Sequence, residues 1–233
     1  MTMCVLWASG YSSNSVTVPF YGQPHYTEVL MGKRRYIKML SALAAVTMTF
    51  LSCHPQTSNE DPLNSKLAEA KQYCKMNGLN TDKCILIDMS IHSGKDRLTL
   101  WDMKKDSALL SCLCSHGCGQ ASWGSDETKT APVFSNTPDT HCSSLGKYKI
   151  GARGWSNWGI HVNYKLHGLD SSNSKAYARL IVLHSWDAVP EAPPYPNGTP
   201  EGWGCPAISN GNLQKLDPYL SVTERPVLLW IFQ

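Results

Sequence analysis

The spacing of apolar residues changes from a helical to a strand-like period near residue 80. Before that point an apolar stripe recurs at helical spacing, a polar cap is available at Asn64 or Ser65, and Gly78 marks a stop. This pattern predicts one helix at the start of the folded part of the chain. Its stripe is expected to be Leu67, Ala70, Tyr73 and Cys74.

After residue 83, short apolar runs alternate with segments rich in glycine, proline and polar residues. Such a succession predicts a mainly β fold, a β-sandwich or barrel with an N-terminal helix and few short helices. A stiff connection over residues 190–200 holds five prolines and is expected to border the functional site. The predicted strands are residues 84–89, 97–102, 107–114, 147–152, 159–166, 178–184 and 227–232.

Residues 31–52 are typical of a lipoprotein signal peptide. A basic segment at 32–38 precedes an apolar, alanine-rich run at 39–50, and Leu51-Ser52-Cys53 follows as a loose lipobox. The apolar run is too short to cross a bilayer as a mature helix. We therefore expect Cys53 to carry a lipid anchor at the periplasmic side of the cell envelope. The alternative is a buried hydrophobic helix.

The signal divides the chain. Residues 1–30 form a doubtful N-terminal extension with translation expected from Met31, residues 53–62 a tether, and residues 63–233 a single domain. Residues 1–52 contain four of the 21 basic and one of the 18 acidic residues, so the remainder holds 17 of each. The net charge of +3 therefore comes from the signal and implies no nucleic-acid partner.

One cysteine stands in a setting that suits a nucleophile. Cys205 lies between Gly204 and Pro206, and His184 ends an apolar run 21 positions upstream. A thiol needs a nearby base to react as thiolate, and an imidazole can supply it. Flexible glycines expose backbone N–H groups, so those of Trp203 and Gly204 are expected to form an oxyanion hole.

The same stretches, His184-Ser185-Trp186-Asp187 and Gly202-Trp203-Gly204-Cys205-Pro206, resemble the L,D-transpeptidase catalytic domain, the YkuD-like fold of bacterial cell-wall enzymes. Gly202 and Trp203 replace that family's usual Ser/Thr and His, a form similar to a divergent lipoprotein branch. The resemblance extends over residues 83–233. It also includes Phe134-Ser135-Asn136, Ser143-Ser144-Leu145-Gly146-Lys147-Tyr148 and Leu166-His167-Gly168-Leu169.

The resemblance implies a cysteine acyltransferase that acts on peptidoglycan tetrapeptide stems through a Cys205 thioester, with His184 as base. An amine acceptor would make an L,D cross-link, and water would make the protein an L,D-carboxypeptidase. No metal or organic cofactor is implied, and the oligomeric state is left open. The rival hypothesis is a non-catalytic envelope lipoprotein that keeps the fold and binds glycan or peptide.

Four further residues are expected to contact substrate: His167, Ser185, Arg153 and Arg179. The arginines suit a carboxylate because guanidinium binds it bidentately, although exposed strand arginines are common. His167 is equally consistent with a structural histidine. Tryptophans near the catalytic segments could line a groove or pack in the core; they are Trp155, Trp158, Trp186 and Trp203.

A second motif competes for the nucleophile. Ser115-His116-Gly117-Cys118 matches the family's literal Ser-His-Gly-Cys, but the nearest upstream histidine, His92, is too far away. Because the motif matches but lacks a histidine at the right distance, Cys118 is the alternative nucleophile and Cys205 is preferred. A zinc site is a further alternative for Cys112, Cys114, His116, Cys118, His141 and Cys142, although the spacing lacks Cys-x₂-Cys pairs and favours disulfides or free thiols. A bridge between Cys74 and Cys84 is expected across a helix-to-strand turn.

Overall fold

The computed structural model describes residues 62–233. The predicted extension, the predicted signal peptide, Cys53 as the predicted lipidation site and nearly all of the predicted tether therefore lie outside the described residues. Two α-helices and eight strands make up this part, with a short 3₁₀ turn at Ser171–Asn173. The elements are α1 (Pro62–Met76), β1 (Lys83–Asp88), β2 (Leu98–Asp102), β3 (Ser107–Cys112), β4 (Gly146–Trp155), β5 (Val162–Gly168), β6 (Val182–Ser185), β7 (Ala207–Ile208), α2 (Asn210–Ser221) and β8 (Leu228–Phe232).

All eight strands join one mixed sheet in the order β3-β2-β1-β8-β4-β5-β6-β7. Its centre is the parallel pair β1 and β8, whose residues are almost all buried. Alternate side chains point to two clusters: Ile85 and Ile231 lie in the main core, whereas Leu86 and Trp230 pack in a second cluster with α1. Burial on both faces explains why these two segments are continuous apolar runs.

The sheet is almost closed, because the chain beyond β3 returns to the opposite edge. Ser115 N–H donates to the Ala207 carbonyl at 2.7 Å, and Gly202 N–H donates to the His116 carbonyl at 2.7 Å. An isolated parallel bridge pairs Gly117 with Gly202. We call this contact between residues 113–118 and 202–207 the seam. It places the segment that leads to Cys205 at the closure of the sheet.

The mainly β prediction is confirmed, as are the N-terminal helix and most strands. The strand expected at 178–184 is wrong in its first half. Residues up to Leu180 form turns, Leu180 has a φ of 58°, and β6 begins at Val182. The connection at 190–200 does not line the cavity that holds Cys205; Asn197 and Gly198 pack instead against Gly94 and Ser93.

The bridge expected between Cys74 and Cys84 is absent. Both are free thiols buried in the cluster under α1, and burial raises their pKa values to about 11 and about 12. Between residues 62 and 233, no helix has the length and apolar character needed to cross a membrane.

Candidate active site

Cys205 and His184 line one cavity of about 110 Å³. The local sheet explains why. β6 and β7 run parallel with His184 opposite Ala207, and Cys205, two positions before Ala207, contacts Val182, two positions before His184. The strands thereby bring together two residues that are 21 positions apart. The cavity is lined by Trp123, Trp158, His184, Trp186, Gly202, Trp203, Cys205 and Ala207.

The hydrogen bond of His184 defines its tautomer. Its Nδ1 lies 2.9 Å from the carbonyl oxygen of Ser185, and a carbonyl only accepts, so Nδ1 carries the proton. The lone pair is then on Nε2, which is the arrangement a general base needs. Burial lowers the pKa of His184, so the ring is neutral at neutral pH.

The sulfur of Cys205 contacts the backbone of the preceding turn. Val182 N–H donates to Sγ at 3.4 Å, and the thiol lies 3.9 Å from the Leu180 carbonyl. Among the described residues Sγ has no hydrogen bond to His184. Burial raises the pKa of Cys205, although the Val182 N–H and the charge of Arg179 oppose the shift. The resting group is therefore a thiol, and it must lose its proton before it attacks.

Gly204 occupies a position that only glycine fits. Its φ is 101°, and a Cβ there would lie 2.5 Å from the Cys142 carbonyl oxygen. Its own carbonyl accepts a hydrogen bond from the Ser143 hydroxyl at 3.1 Å. Within residues 62–233, the backbone N–H groups of Trp203, Gly204 and Cys205 have no hydrogen-bond acceptor. They are available to an oxyanion.

The competing motif at 115–118 is built into the scaffold. His116 is fully buried, with Nδ1 2.8 Å from Arg97 Nη2 and Nε2 2.8 Å from Thr128 Oγ1. Arginine only donates, so Nδ1 accepts and Nε2–H donates, which leaves no free lone pair. Burial, reinforced by the charge of Arg97, lowers the pKa of His116 to about 3. Cys118 is buried and does not line the cavity.

The sequence over residues 55–229 matches the family described as the L,D-transpeptidase catalytic domain, YkuD_2. The chain belongs to this family. Membership supports an L,D-transpeptidase-like function in peptidoglycan modification. None of the curated proteins matches the chain.

Solved structures similar to this L,D-transpeptidase domain are distant. Pgp2, the helical cell shape determining protein of Campylobacter jejuni, is 12% identical with a TM-score of 0.42, over 65% of this chain and 48% of its own. The Ldtfm-avibactam carbamoyl enzyme is 13% identical with a TM-score of 0.37, over 65% and 49%. An L,D-transpeptidase from Xylanimonas cellulosilytica DSM 15894 is 11% identical with a TM-score of 0.36, over 69% and 68%. The chain thus spans about half the length of the first two.

The four residues expected to bind substrate have protein partners in this L,D-transpeptidase domain. Arg153 forms a bidentate pair with Asp217 at 2.8 and 3.1 Å. The fully buried Ser185 hydroxyl accepts from Ile160 N–H, so its contribution is to hold the turn before β5. His167 stacks on Tyr177, with ring centroids 4.7 Å apart, and does not line the cavity.

Arg179 lies closer to the nucleophile. Its guanidinium donates to the carbonyls of Ser135 and Cys142 and to the Ser144 hydroxyl at 2.6 to 2.9 Å. These bonds fasten the loop that packs under Gly204. The charge of Arg179 also lowers the pKa of Cys205 against the larger effect of burial.

Four of the eight residues that line the cavity of this L,D-transpeptidase domain are tryptophans. Trp123, Trp158 and Trp186 lie with ring centroids 5.2 to 6.2 Å apart. Trp155 instead stacks on His161 and does not line the cavity. Trp123 was not recognisable in the sequence, because it stands in a polar loop without periodicity. Within the described chain, no three His, Cys, Asp or Glu residues are grouped as metal ligands would be.

Proposed function

We propose that the protein is a cysteine acyltransferase that acts on peptidoglycan tetrapeptide stems, with Cys205 as nucleophile and His184 as general base. The supporting observation is that the thiol and a histidine with a free Nε2 share one cavity, in a chain of the L,D-transpeptidase family. The terminal D-residue of the stem is the first product.

The reaction has two halves. His184 Nε2 takes the thiol proton, Cys205 Sγ forms a bond to the carbonyl carbon before the terminal D-residue, and the C–N bond breaks. The His184 proton passes to the leaving amine, so a thioester and a free D-amino acid result. In the second half an amine nitrogen attacks the thioester carbon, the C–S bond breaks, and the amine proton returns to the sulfur through His184.

Negative charge on the carbonyl oxygen develops in both halves. The free N–H groups of Trp203, Gly204 and Cys205 are the donors proposed to stabilise it. Backbone donors need no particular side chain at 202 and 203, so the departures from the usual Ser/Thr and His do not remove them. Trp203 then serves as a wall of the cavity.

The location proposed for this activity is the periplasmic side of the cell envelope, through a lipid on Cys53. The support is the order of basic segment, apolar run and small residue before cysteine in residues 32–53. A short tether, residues 53–62, would place the catalytic domain within reach of the wall.

Mass spectrometry of the intact protein with a carbapenem tests the nucleophile, since enzymes of this family are acylated by such drugs. The expected result is one adduct, mapped to the peptide that contains Cys205. The adduct should be lost in Cys205→Ser and kept in Cys118→Ser. An adduct on Cys118 would overturn the assignment.

Product analysis on tetrapeptide muropeptides separates the possible activities. Cross-linked dimers plus free D-residue indicate a transpeptidase, and tripeptides plus free D-residue indicate a carboxypeptidase. The non-catalytic alternative is favoured by the altered Gly202-Trp203 pair and by the resting thiol, which bonds to the turn before β6 and not to His184. Absence of both an adduct and a released D-residue would contradict the acyltransferase and favour that alternative.

A further inference from the structure

A second cavity, of about 450 Å³, lies beside the one that holds Cys205 and His184, although Cys205 itself does not line it. Trp203 lines both this cavity and the one that contains Cys205 and His184. Leu180 also lines it, and the Leu180 carbonyl lies 3.9 Å from Cys205 Sγ. The two compartments therefore share one indole wall, and Leu180 links the second compartment to the sulfur through its carbonyl. We call the second one the charged cavity.

The two compartments differ in charge. The first has no Asp, Glu, Lys or Arg in its lining. The charged cavity has an acid, Asp139, and two cations, Lys175 and Arg179. Arg179 directs its hydrogen bonds into the protein. The exposed side chains of Asp139 and Lys175 have no hydrogen-bond or ion-pair partner among the described residues, so both are available to a ligand.

The backbone around the charged cavity is held in an unusual conformation. Five non-glycine residues of the described chain have positive φ, and three of them line this cavity: Asp139 at 61°, His141 at 54° and Leu180 at 58°. Such a conformation costs about 1–3 kcal/mol for a residue as bulky as leucine and persists only where the surrounding structure holds it, which is common at ligand-binding sites. His141 also stacks on Trp203, with ring centroids 5.4 Å apart.

We propose that the charged cavity is the amine subsite of the acyl transfer, occupied in turn by the leaving and the incoming amine. Thioester formation expels an amine, and thioester cleavage by the acceptor amine is the same step in reverse. The leaving amine and the incoming amine therefore occupy the same side of the thioester. The leaving amine is an amino acid, with a carboxylate on the carbon that bears nitrogen. Lys175 binds that carboxylate, and Asp139 binds the ammonium before it loses its proton.

Acceptor preference follows from this pairing of charges. Amines with an adjacent carboxylate, such as the free end of a diaminodicarboxylic acid residue, should be used in preference to simple amines. Water has neither charge, so it gains nothing from the charged cavity. The atom balance is the one given for the proposed function: the amine nitrogen bonds to the thioester carbon, and sulfur leaves with the electron pair and recovers the proton through His184.

Three small probes that differ by one charge each test the subsite on the resting protein. D-alanine has both charges, D-alaninamide lacks the carboxylate, and D-lactate lacks the ammonium. Titrations of the ¹⁵N-labelled full-length chain are expected to show D-alanine shifting the amide signals of residues 139–141 and 175–180. An exposed charge contact contributes about 0.2–1 kcal/mol, so the Kd of D-alanine should be up to roughly fivefold lower than the Kd of D-alaninamide or of D-lactate.

Matched variants assign each charge. Lys175→Met should remove the preference for D-alanine over D-alaninamide, whereas Lys215→Met, at an exposed lysine on α2, should keep it. Asp139→Asn should remove the preference over D-lactate, and Asp96→Asn should keep it. Asparagine tolerates positive φ about as well as aspartate, so this exchange leaves the loop conformation intact.

Because the subsite rests on the proposed acyl transfer, both are measured in parallel on the same preparations. Equal Kd values for the three probes, or shifts outside the charged cavity, would overturn the subsite even if the terminal D-residue is released. Selective binding without any release would overturn the acyl transfer and leave a binding site for amino-acid ends. Loss of selectivity in the control variants as well would also overturn the assignment of the two charges.

Discussion

The hydroxyl of Ser143 donates a hydrogen bond to the Gly204 carbonyl at 3.1 Å and accepts one from Gly117 N–H at 3.0 Å. The carbonyl and the next N–H of a trans peptide point in opposite directions. Ser143 therefore turns the N–H of Cys205 away from itself, and that N–H has no acceptor within residues 62–233. One buried hydroxyl thus sets the direction of a proposed oxyanion donor.

Ser143→Ala should lower kcat with little change in KM. The variant loses the orientation of the oxyanion donor, whereas the contacts that bind the substrate are unchanged. A hydrogen bond of about 0.5–1.5 kcal/mol corresponds to roughly a two- to tenfold loss. Steady-state release of the terminal D-residue measures it. Ser143→Thr should restore kcat, and Ser93→Ala, at a buried hydroxyl that accepts from Thr199 N–H, is the control. An unchanged kcat in Ser143→Ala would contradict this role.

The nucleophile and base should act as a unit. Cys205→Ser should abolish thioester formation, because an alkoxide is much harder to generate than a thiolate. His184→Ala should reduce turnover near neutrality roughly a hundredfold to ten-thousandfold. Cys118→Ala should leave turnover largely intact in protein that remains folded. Full activity in Cys205→Ser with none in Cys118→Ala would reverse the choice of nucleophile.

Alkylation of Cys205 should require high pH. Burial raises its pKa above the ordinary value of 9.0, so the thiolate fraction at neutral pH is small. The rate of labelling by iodoacetamide, followed by peptide mass spectrometry, should reach half its maximum above pH 9. His184→Ala should still be labelled at high pH. A midpoint near neutrality would show instead a thiolate–imidazolium pair at rest.

Acid should destabilise the protein through His116. Its pKa is about 3 in the fold and about 6.5 when unfolded, so between these values the unfolded chain binds more protons. The free energy of unfolding should therefore fall as pH is lowered through this window, by up to about 1.4 kcal/mol per pH unit. Urea unfolding at several pH values measures the slope.

The control for this pH dependence is His116→Gln. Glutamine can accept from Arg97 and donate to Thr128 without taking up a proton, so the slope should be smaller than in the wild type. The raised pKa of nearby Glu201 acts in the opposite direction in both proteins and cancels in the comparison. Identical slopes would exclude His116 as the cause.

Lipidation is expected at Cys53. Cys53→Ala should release the protein from the membrane or leave it unprocessed, because the diacylglyceryl group has no other attachment point in residues 31–53. Membrane fractionation followed by immunoblotting measures the distribution. Equal membrane association of the variant and the wild type would refute the anchor.

The sequence indicates those parts of the fold that local pattern determines. The continuous apolar runs of β1 and β8 are readable because both faces of these strands are buried. α2 was not predicted, since it begins with Asn210-Gly211 and contains Pro218, all unfavourable in a helix interior. β7 is only two residues long, and its existence depends on pairing with β6.

The candidate site was readable only in part for the same reason. Gly204 and Cys205 are adjacent, and His184 ends an apolar run, so this pair can be found by spacing. Ser143, in contrast, reaches Gly204 from 61 positions away, and nothing local marks it. The His116 motif misleads because its hydrogen-bond partners, the buried Arg97 and the half-buried Thr128, lie 19 and 12 positions away and give the histidine a structural role.

Because of the seam, opening the sheet at this edge and losing the catalytic arrangement are the same transition. Residues 202–207 hold the nucleophile and also supply the hydrogen bonds that receive residues 113–118. A local opening of this edge would therefore dismantle the thiol, its oxyanion donors and the wall at Trp203 together, while the β1–β8 centre stayed folded. Amide hydrogens on the two sides of the seam should accordingly exchange with solvent at one common free energy, below that of the whole domain.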